Sequence, residues 1–164
     1  MTSQSLCRCT LPLRAPKGSP LATAKTREEL EKGLAEGKAI GVQSGSSHEG
    51  VVRAHFKSAD VRLYDRYEQL ADDLAAGRID AGLLEQSVLQ DLMKSRDGQI
   101  ELVGPMLTSA DYAEFGNGQG LALKKGRDDL KNRIDKVIAD MLSDGTMTKL
   151  STKFFGYDLS FKGK

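Results

Sequence analysis

The chain has 164 residues, near the usual size of a single domain, with 24 basic and 23 acidic residues and a formal net charge of +1. This balance supplies no field that would attract nucleic acid or a membrane surface, and no apolar run approaches the ~20 residues that cross a bilayer, so we expect neither a nucleic-acid partner nor membrane insertion. Because aromatic residues make up only 5% and Trp is absent, the core must be mostly aliphatic.

The N-terminal segment carries few structural signals. Residues 1–14 are predicted to be an unstructured tail of unclear origin, and they lack the continuous apolar stretch of a secretion signal. Cys7 and Cys9 are the only cysteines, and since no second pair exists and both histidines are remote, we expect no metal site and no cofactor. The Pro- and Gly-rich residues 15–20 indicate a linker or an extended entry strand.

Strand and helix patterns then alternate along the chain. Thr26 and Glu29 have the spacing of a capping box and predict a helix that ends near Gly37. Strands are predicted over 38–43, 61–64, 79–84 and 100–103, the last one ending at Gly104-Pro105. Helices are predicted between them, over 48–57, 67–76 and 87–95. This order favours a mostly parallel α/β sheet with helices on both faces.

The C-terminal part is predicted to contain a strand over 120–124 and two helices. The first helix has an apolar stripe at helical spacing, made of Ile134, Val137, Ile138, Met141 and Leu142.

The turn Gln43-Ser44-Gly45-Ser46-Ser47-His48 is the strongest candidate for a binding site. It leads from the carboxyl end of a strand to a helix N-terminus, where free N–H groups and the helix dipole suit a carboxylate or a phosphate. Glu85 follows another predicted strand, and ligands of parallel sheets bind at such carboxyl ends. A carboxylate at the turn and an ammonium at Glu85 together match a zwitterion.

Purely structural roles remain open for the same residues. Gly45 is also typical of a simple turn, Ser46 or Ser47 of an N-cap, and Glu85 of a helix cap. His48 and His55 are seven residues apart and are predicted to share a partly exposed helix face, on which His48 is the better candidate for contacting a ligand. The sequence has no nucleophile elbow, phosphate loop or acid–base pair that predicts a catalytic residue.

The chain resembles the bacterial solute-binding proteins of polar amino-acid ABC importers, the group for histidine, lysine/arginine/ornithine, octopine and nopaline. The motifs that carry the resemblance, in chain order, are GKAIGVQSGSS at 37–47, LAAGRIDA at 74–81, LVGP at 102–105, FGNGQGLALKKG at 115–126, and DGT at 144–146 followed by KFFG at 153–156.

The resemblance implies a type II periplasmic-binding-protein fold, with two α/β lobes joined by crossover strands. It runs from residue 15 to about residue 159 and covers the C-terminal half of the family. We therefore expect lobe 2 over residues 15–118, the return crossover strand and C-terminal helices of lobe 1 over residues 119–164, and most of lobe 1 to be absent. Without the lobe 1 sheet, the apolar stripe at 134–142 is expected to be exposed and to mark an interface or an aggregation risk. It also implies a periplasmic location, although no signal peptide is visible in the chain.

The implied function is that of the substrate-binding component of an amino-acid ABC importer, with a polar or basic amino acid and the transmembrane permease subunits as partners. Carried over by position, the N–H groups of Ser47 and His48 and the Ser47 hydroxyl hold the ligand carboxylate in a turn that also contains Ser46. Gln43 then lines the pocket, and Glu85, where many members have Asp, accepts the ammonium group.

Three further expectations complete the interpretation. With half of the cleft missing, the chain alone should bind its ligand weakly. An enzyme of the cyclohexadienyl or arogenate dehydratase type, with Glu85 as its acid, is the alternative on the same fold. A stand-alone interaction module that uses lobe 2 is the other alternative.

Overall fold

The computed structural model describes residues 11–35, 37–85, 95–96, 98–116, 118, 120–156, 158 and 160. These residues fall into two compact units, of which one ends at Phe115 and the other begins at Gly116.

The first unit is built on a five-stranded sheet. Its strands are β1 (Leu11–Pro16), β2 (Ala39–Gln43), β3 (Asp60–Tyr64), β4 (Ala81–Leu83) and β5 (Ile100–Leu107). They lie in the order β3-β2-β4-β1-β5. Strand β2 is parallel to both β3 and β4, whereas β1 is antiparallel to its two neighbours, β4 and β5. The predicted α/β class is confirmed, but the sheet is mixed because one strand is reversed.

Strand β1 corrects the prediction that residues 1–14 are an unstructured tail. Leu13 pairs with Leu83 on one side and with Val103 on the other. Its side chain is buried, as is that of Ala15, since alternate residues of a strand point to the same face. The order of residues 11–14 comes from these distant partners rather than from a local signal. Residues 1–10 lie outside the described part of the chain.

Strand β5 continues past Gly104-Pro105, where the sequence predicts that it ends. Between Leu13 and Leu11 the partner on β5 moves from Val103 to Leu107, so the register shifts there. Gly104 has a φ of +72°, and a Cβ at this position would lie 2.9 Å from Leu30 Cδ1. The irregularity therefore accommodates both the glycine and the proline without ending the strand.

Three α-helices lie within the described residues of this unit: α1 (Arg27–Gly33), α2 (Ser47–His55) and α3 (Tyr67–Ala75). The capping box predicted for α1 is confirmed, because Glu29 N–H donates to Thr26 Oγ1 at 3.2 Å and Thr26 N–H donates to Glu29 Oε2 at 3.3 Å. Most of the helix predicted over 87–95 lies outside the described residues.

Helices cover both faces of the sheet near its centre. Gly82 of β4 lies beneath α3, since a Cβ at Gly82 would be 2.8 Å from Leu70 Cδ2. Ile40 and Val42 flank Gly41 on β2 and are fully buried, so by strand alternation they face the opposite side, where α2 contacts β2. The carboxyl ends of the parallel strands lie together at one edge of the sheet.

The second unit contains the helices α4 (Asp128–Ser143) and α5 (Thr146–Phe155). Gly145 separates them with a φ of +77°, a conformation that favours glycine. The strand predicted over 120–124 is wrong, because only Ala122 forms an isolated bridge there.

The apolar stripe of α4 is exposed only in part. Val137 is exposed, whereas Ile138 is buried and the other three members are half-buried. On α5, Phe154 is 66% exposed. Every helix within the described ranges is too short or too polar to cross a membrane.

Candidate functional site

The predicted site residues lie at the carboxyl edge of the parallel strands. Gly41 of β2 pairs with Gly82 of β4. Ser44 lies three residues after Gly41, and Glu85 lies three residues after Gly82. The turn after β2 and the segment after β4 are thus at the same edge, on neighbouring strands. The geometry brings Gln43, the turn and Glu85 to one end of the sheet, as the sequence predicts.

Ser46 is the N-cap of α2. Its hydroxyl donates to Gln43 O at 2.6 Å and accepts from Glu49 N–H at 3.4 Å. This hydroxyl satisfies a helix donor that would otherwise have no partner. The structural role is therefore established, and contact between Ser46 and a ligand stays a prediction.

The remaining donors of the turn differ in whether they have partners. Ser44 N–H donates to Tyr64 O at 2.9 Å, and Gly45 N–H donates to Glu49 Oε2 at 2.9 Å. Among the described residues, the N–H groups of Ser47 and His48 have no partner. Two free N–H groups in the first turn of a helix are the arrangement that an anion requires.

Glu49 is the acidic residue in the first turn of α2, the turn that also contains these two groups. Its carboxylate accepts from Arg53 Nε at 2.8 Å as well as from the Gly45 N–H. These two hydrogen bonds, the one from Arg53 first, hold the pKa of Glu49 below its ordinary value. The sequence analysis did not single out Glu49, although its position four residues before Arg53 is the usual spacing of a helical ion pair.

His48 is a buried residue at the start of α2. Only 3% of the residue is exposed, the centroid of its ring lies 6.2 Å from that of Phe115 in an edge-to-face arrangement, and neither ring nitrogen has a partner among the described residues. Burial lowers the pKa of His48 to about 4. The prediction that the two histidines share a partly exposed face is therefore wrong for His48.

His55 does lie at the surface, where its Nε2 is 3.0 Å from Glu114 Oε2. Its ring also lies against Tyr112, with a centroid separation of 4.6 Å. This pair joins α2 to the segment that ends the first unit, so His55 has a structural partner there. Across the described residues, no three His, Cys, Asp or Glu side chains are grouped to hold a metal ion; Cys7 and Cys9 lie outside this part of the chain.

Gln43 and Glu85 complete the edge on either side of the turn. Gln43 Nε2 donates to Asp65 O at 3.4 Å, which links the end of β2 to the loop after β3. Glu85 is half-buried. The pKa of Tyr67 is raised mainly by burial and, to a smaller extent, by the negative charge of Glu85. This tyrosine therefore lies near Glu85. Sequence reasoning missed Tyr67, which is the first residue of α3; the signal that could have found it is an aromatic residue three positions after the carboxyl end of β3.

A cavity of about 490 Å³ lies at the opposite edge of the sheet. Its wall includes Lys38 and Asp80, which precede β2 and β4 and form an ion pair at 2.9 Å. None of the five predicted ligand-binding residues lines it. The cavity and the predicted site are therefore separate features.

The sequence matches one protein family over most of its length. Residues 15–157 match the family described as bacterial extracellular solute-binding proteins, family 3. The chain is 34% identical over 138 residues to the L-cystine-binding protein TcyJ of Escherichia coli, covering 84% of this chain and 47% of that protein. It is 31% identical to the histidine-binding periplasmic protein of Salmonella typhimurium, covering 76% of this chain and 48% of that protein.

Solved structures give the same result for the fold. An ancestral arginine-binding protein bound to arginine has a TM-score of 0.72 at 26% identity, covering 94% of this chain and 64% of that chain. An arginine transport-system binding protein of Legionella pneumophila has a TM-score of 0.73 at 20% identity, covering 94% of this chain and 65% of that one, a likeness that shows the fold alone.

The chain spans about half the length of the curated relatives it matches. The fold is that of the periplasmic amino-acid-binding proteins, and both the family match and these relatives agree with the resemblance that the motifs indicate. The chain belongs to the bacterial extracellular solute-binding proteins of family 3.

Proposed function

We propose that this protein is the substrate-binding component of an amino-acid ABC importer and that its ligand is a polar or basic amino acid. The observation that carries the proposal is the pair of N–H groups at Ser47 and His48, which have no partner in the described part of the chain, at the edge of the sheet that also holds Glu85. The relatives reported above are named as binding proteins for cystine, histidine and arginine. Their names favour transport over the dehydratase alternative.

In this proposal the ligand is bound as a zwitterion. The N–H groups of Ser47 and His48 and the Ser47 hydroxyl hold the ligand carboxylate, with the dipole of α2 adding to the attraction. Glu85 accepts from the ammonium group, and Gln43 lines the site. No step of covalent chemistry is involved, and the protein's work is to bind, to exclude water and to present the ligand to permease subunits.

We further propose that the first unit corresponds to the family's lobe 2 and that α4 and α5 belong to lobe 1. The ligand of such a protein is enclosed between two lobes, and sites of this kind bury most of the ligand surface. The residues discussed here offer one side of that enclosure. Binding by the 164-residue chain alone is then expected to be weak, and the protein is expected to act in the periplasm.

A residue-resolved titration tests the proposal even when binding is weak. The ¹⁵N-labelled chain is titrated with L-arginine, L-histidine and L-cystine while backbone amide shifts are recorded by NMR. We expect at least one amino acid to shift the amide signals of Ser47 and His48. Agmatine, which is L-arginine without its carboxylate, is the control and should leave these two signals in place.

Two variants sharpen the assignment. Glu85→Gln should weaken amino-acid binding by about tenfold or more, because an ammonium group then loses its charged partner. Asp65→Asn, at the same edge, should change it little. If none of the three amino acids moves the Ser47 and His48 signals, this function is wrong for the chain.

A further inference from the structure

The turn after β2 already holds a negative charge that belongs to the protein. Glu49 lies in the first turn of α2, and its carboxylate occupies the Gly45 N–H at 2.9 Å. The free N–H groups of Ser47 and His48 are in the same turn of helix. A ligand carboxylate bound there is therefore close to a second carboxylate, and like charges at short range repel.

Arg53 is placed to cancel that repulsion. Its Nε donates to the other oxygen of Glu49, Oε1, at 2.8 Å, one helical turn further along α2. The Glu49 side chain is only partly accessible, whereas that of Arg53 is 55% exposed. The guanidinium is thus more accessible to solvent than the carboxylate whose charge it compensates.

The Gly45 N–H needs a hydrogen-bond acceptor, but that acceptor does not need to be charged. The amide oxygen of a glutamine could also accept from the Gly45 N–H, so the charge of Glu49 together with its counter-ion is an additional property of this turn. The potential at the two free N–H groups depends on whether the Glu49 charge is compensated.

We propose that the Glu49–Arg53 ion pair sets the affinity of the turn for a ligand carboxylate, with Glu49 as a positioning residue and Arg53 as its counter-ion. This inference rests on the proposed function, because it assumes that the carboxylate binds to Ser47 and His48. In this proposal Glu49 and Arg53 do not touch the ligand. They fix the geometry of the turn and the electrostatic potential at the N–H groups that bind the ligand carboxylate.

The test is a double-mutant cycle with L-arginine as the probe. Dissociation constants are taken from the Ser47 and His48 amide shifts of the 164-residue chain at low salt, about 10 mM, and at about 1 M. Arg53→Met should weaken binding about three- to tenfold at low salt, since it leaves the Glu49 charge uncompensated. Most of that loss should disappear at high salt.

Glu49→Gln separates the charge from the hydrogen bond. This variant keeps an acceptor for the Gly45 N–H and removes the negative charge, so it should bind L-arginine as well as the wild type or up to about threefold more tightly. In the Glu49→Gln background, Arg53→Met should weaken binding less than it does in the wild type, because no carboxylate is left for Arg53 to hold and compensate at the Gly45 N–H. Glu49→Ala removes the acceptor as well and should weaken binding.

Arg78→Met is the matched control. Arg78 is an exposed arginine that pairs with Asp73 at 2.6 Å, and it precedes β4 at the opposite edge of the sheet, so its loss should leave the L-arginine affinity unchanged. Thermal unfolding and the dispersion of amide signals establish that each variant is folded. Arg53→Lys keeps the positive charge, so it should retain most of the L-arginine affinity that Arg53→Met loses.

The two proposals fail in different ways. If L-arginine shifts Ser47 and His48 but Arg53→Met weakens binding equally in both backgrounds, or not at all, the ion-pair proposal is wrong and the binding site stands. If L-arginine produces no shift at these residues in the wild type, the premise fails and the ion-pair proposal falls with it.

Discussion

Gly41 of β2 lies so close to Ile79 that a Cβ on Gly41 would be 2.6 Å from Ile79 Cδ1. The same Cβ would lie 3.0 Å from Leu70 Cγ of α3. The glycine therefore allows α3 to approach β2, directly behind the turn that carries the proposed site. A larger residue there must push the helix or the strand away.

We expect Gly41→Ala to lower the free energy of unfolding by about 1–3 kcal/mol through this overpacking. Gly50→Ala is the matched control, because Gly50 lies within α2 and a Cβ there meets nothing nearer than Glu114 Cβ at 4.0 Å. That variant should gain about 0.5–1 kcal/mol from helix propensity. Chemical denaturation of both measures the difference, and equal effects at the two positions would contradict the packing argument.

The buried imidazole of His48 makes stability depend on pH. Its pKa is lowered to about 4 in the folded chain from 6.5, so folding favours the neutral ring. The contribution is complete above pH 6.5 and is lost as the pH falls towards 4, by up to about 3 kcal/mol. Denaturation of the wild type across this range should show the loss.

His48→Leu removes the ring that must stay neutral. The variant should lack this part of the pH dependence, and near pH 4 it should be more stable than the wild type, because the two unpartnered ring nitrogens are gone. His55→Gln serves as the comparison at an exposed position. If the wild type and His48→Leu lose stability in parallel between pH 6.5 and 4, the ring is not buried as described.

Ser46 and Ser47 are adjacent, but only Ser46 has a hydroxyl that caps α2. Ser46→Ala should cost about 1 kcal/mol of unfolding free energy. Ser47→Ala should cost less than about 0.5 kcal/mol, because Ser47 is exposed and its hydroxyl has no partner in the described residues. Thermal and denaturant unfolding of the two variants measure this difference. A larger loss for Ser47→Ala than for Ser46→Ala would contradict the assignment of Ser46 as the cap.

Tyr112 holds α1 against the segment that ends the first unit. Its buried hydroxyl donates to Glu31 Oε1 at 2.6 Å, and its ring lies beside Phe115 with centroids 5.8 Å apart. Tyr112→Phe keeps the ring and removes the hydroxyl, and it should lower the unfolding free energy by about 1–2 kcal/mol.

A double-mutant cycle with Glu31→Gln isolates this hydrogen bond. The effect of Tyr112→Phe should shrink in that background, because a hydrogen bond to a charged acceptor is stronger than one to an amide. An unchanged effect in the cycle would mean that the Tyr112 hydroxyl stabilises the fold independently of the Glu31 charge.

How much the sequence predicts depends on how local each signal is. The capping box of Thr26 and Glu29 and the end of β2 at Gln43 involve neighbours in the chain, and both were predictable from pattern. The positions of Ser46, Ser47 and Glu85 at one edge follow from strand order, which the alternation of strands and helices indicates.

The features that were missed depend on distant residues. β1 is ordered by its pairing with β4 and β5, and no local pattern in residues 11–14 encodes those partners. The burial of His48 results from packing next to Phe115, which is remote in sequence. Tyr67 gains its place near Glu85 only because the carboxyl ends of β3 and β4 lie at the same edge.

The reversed strand has a consequence for how the first unit folds. β1 is the first of the described strands to leave the ribosome, yet its place in the sheet is between β4 and β5, the last two to be made. In the described sheet β5 borders only β1, so it has no strand to pair with until the two ends of the unit meet. Closure of such long loops is slow, and we expect β1 to dock late, leaving a partly paired intermediate with an open strand edge.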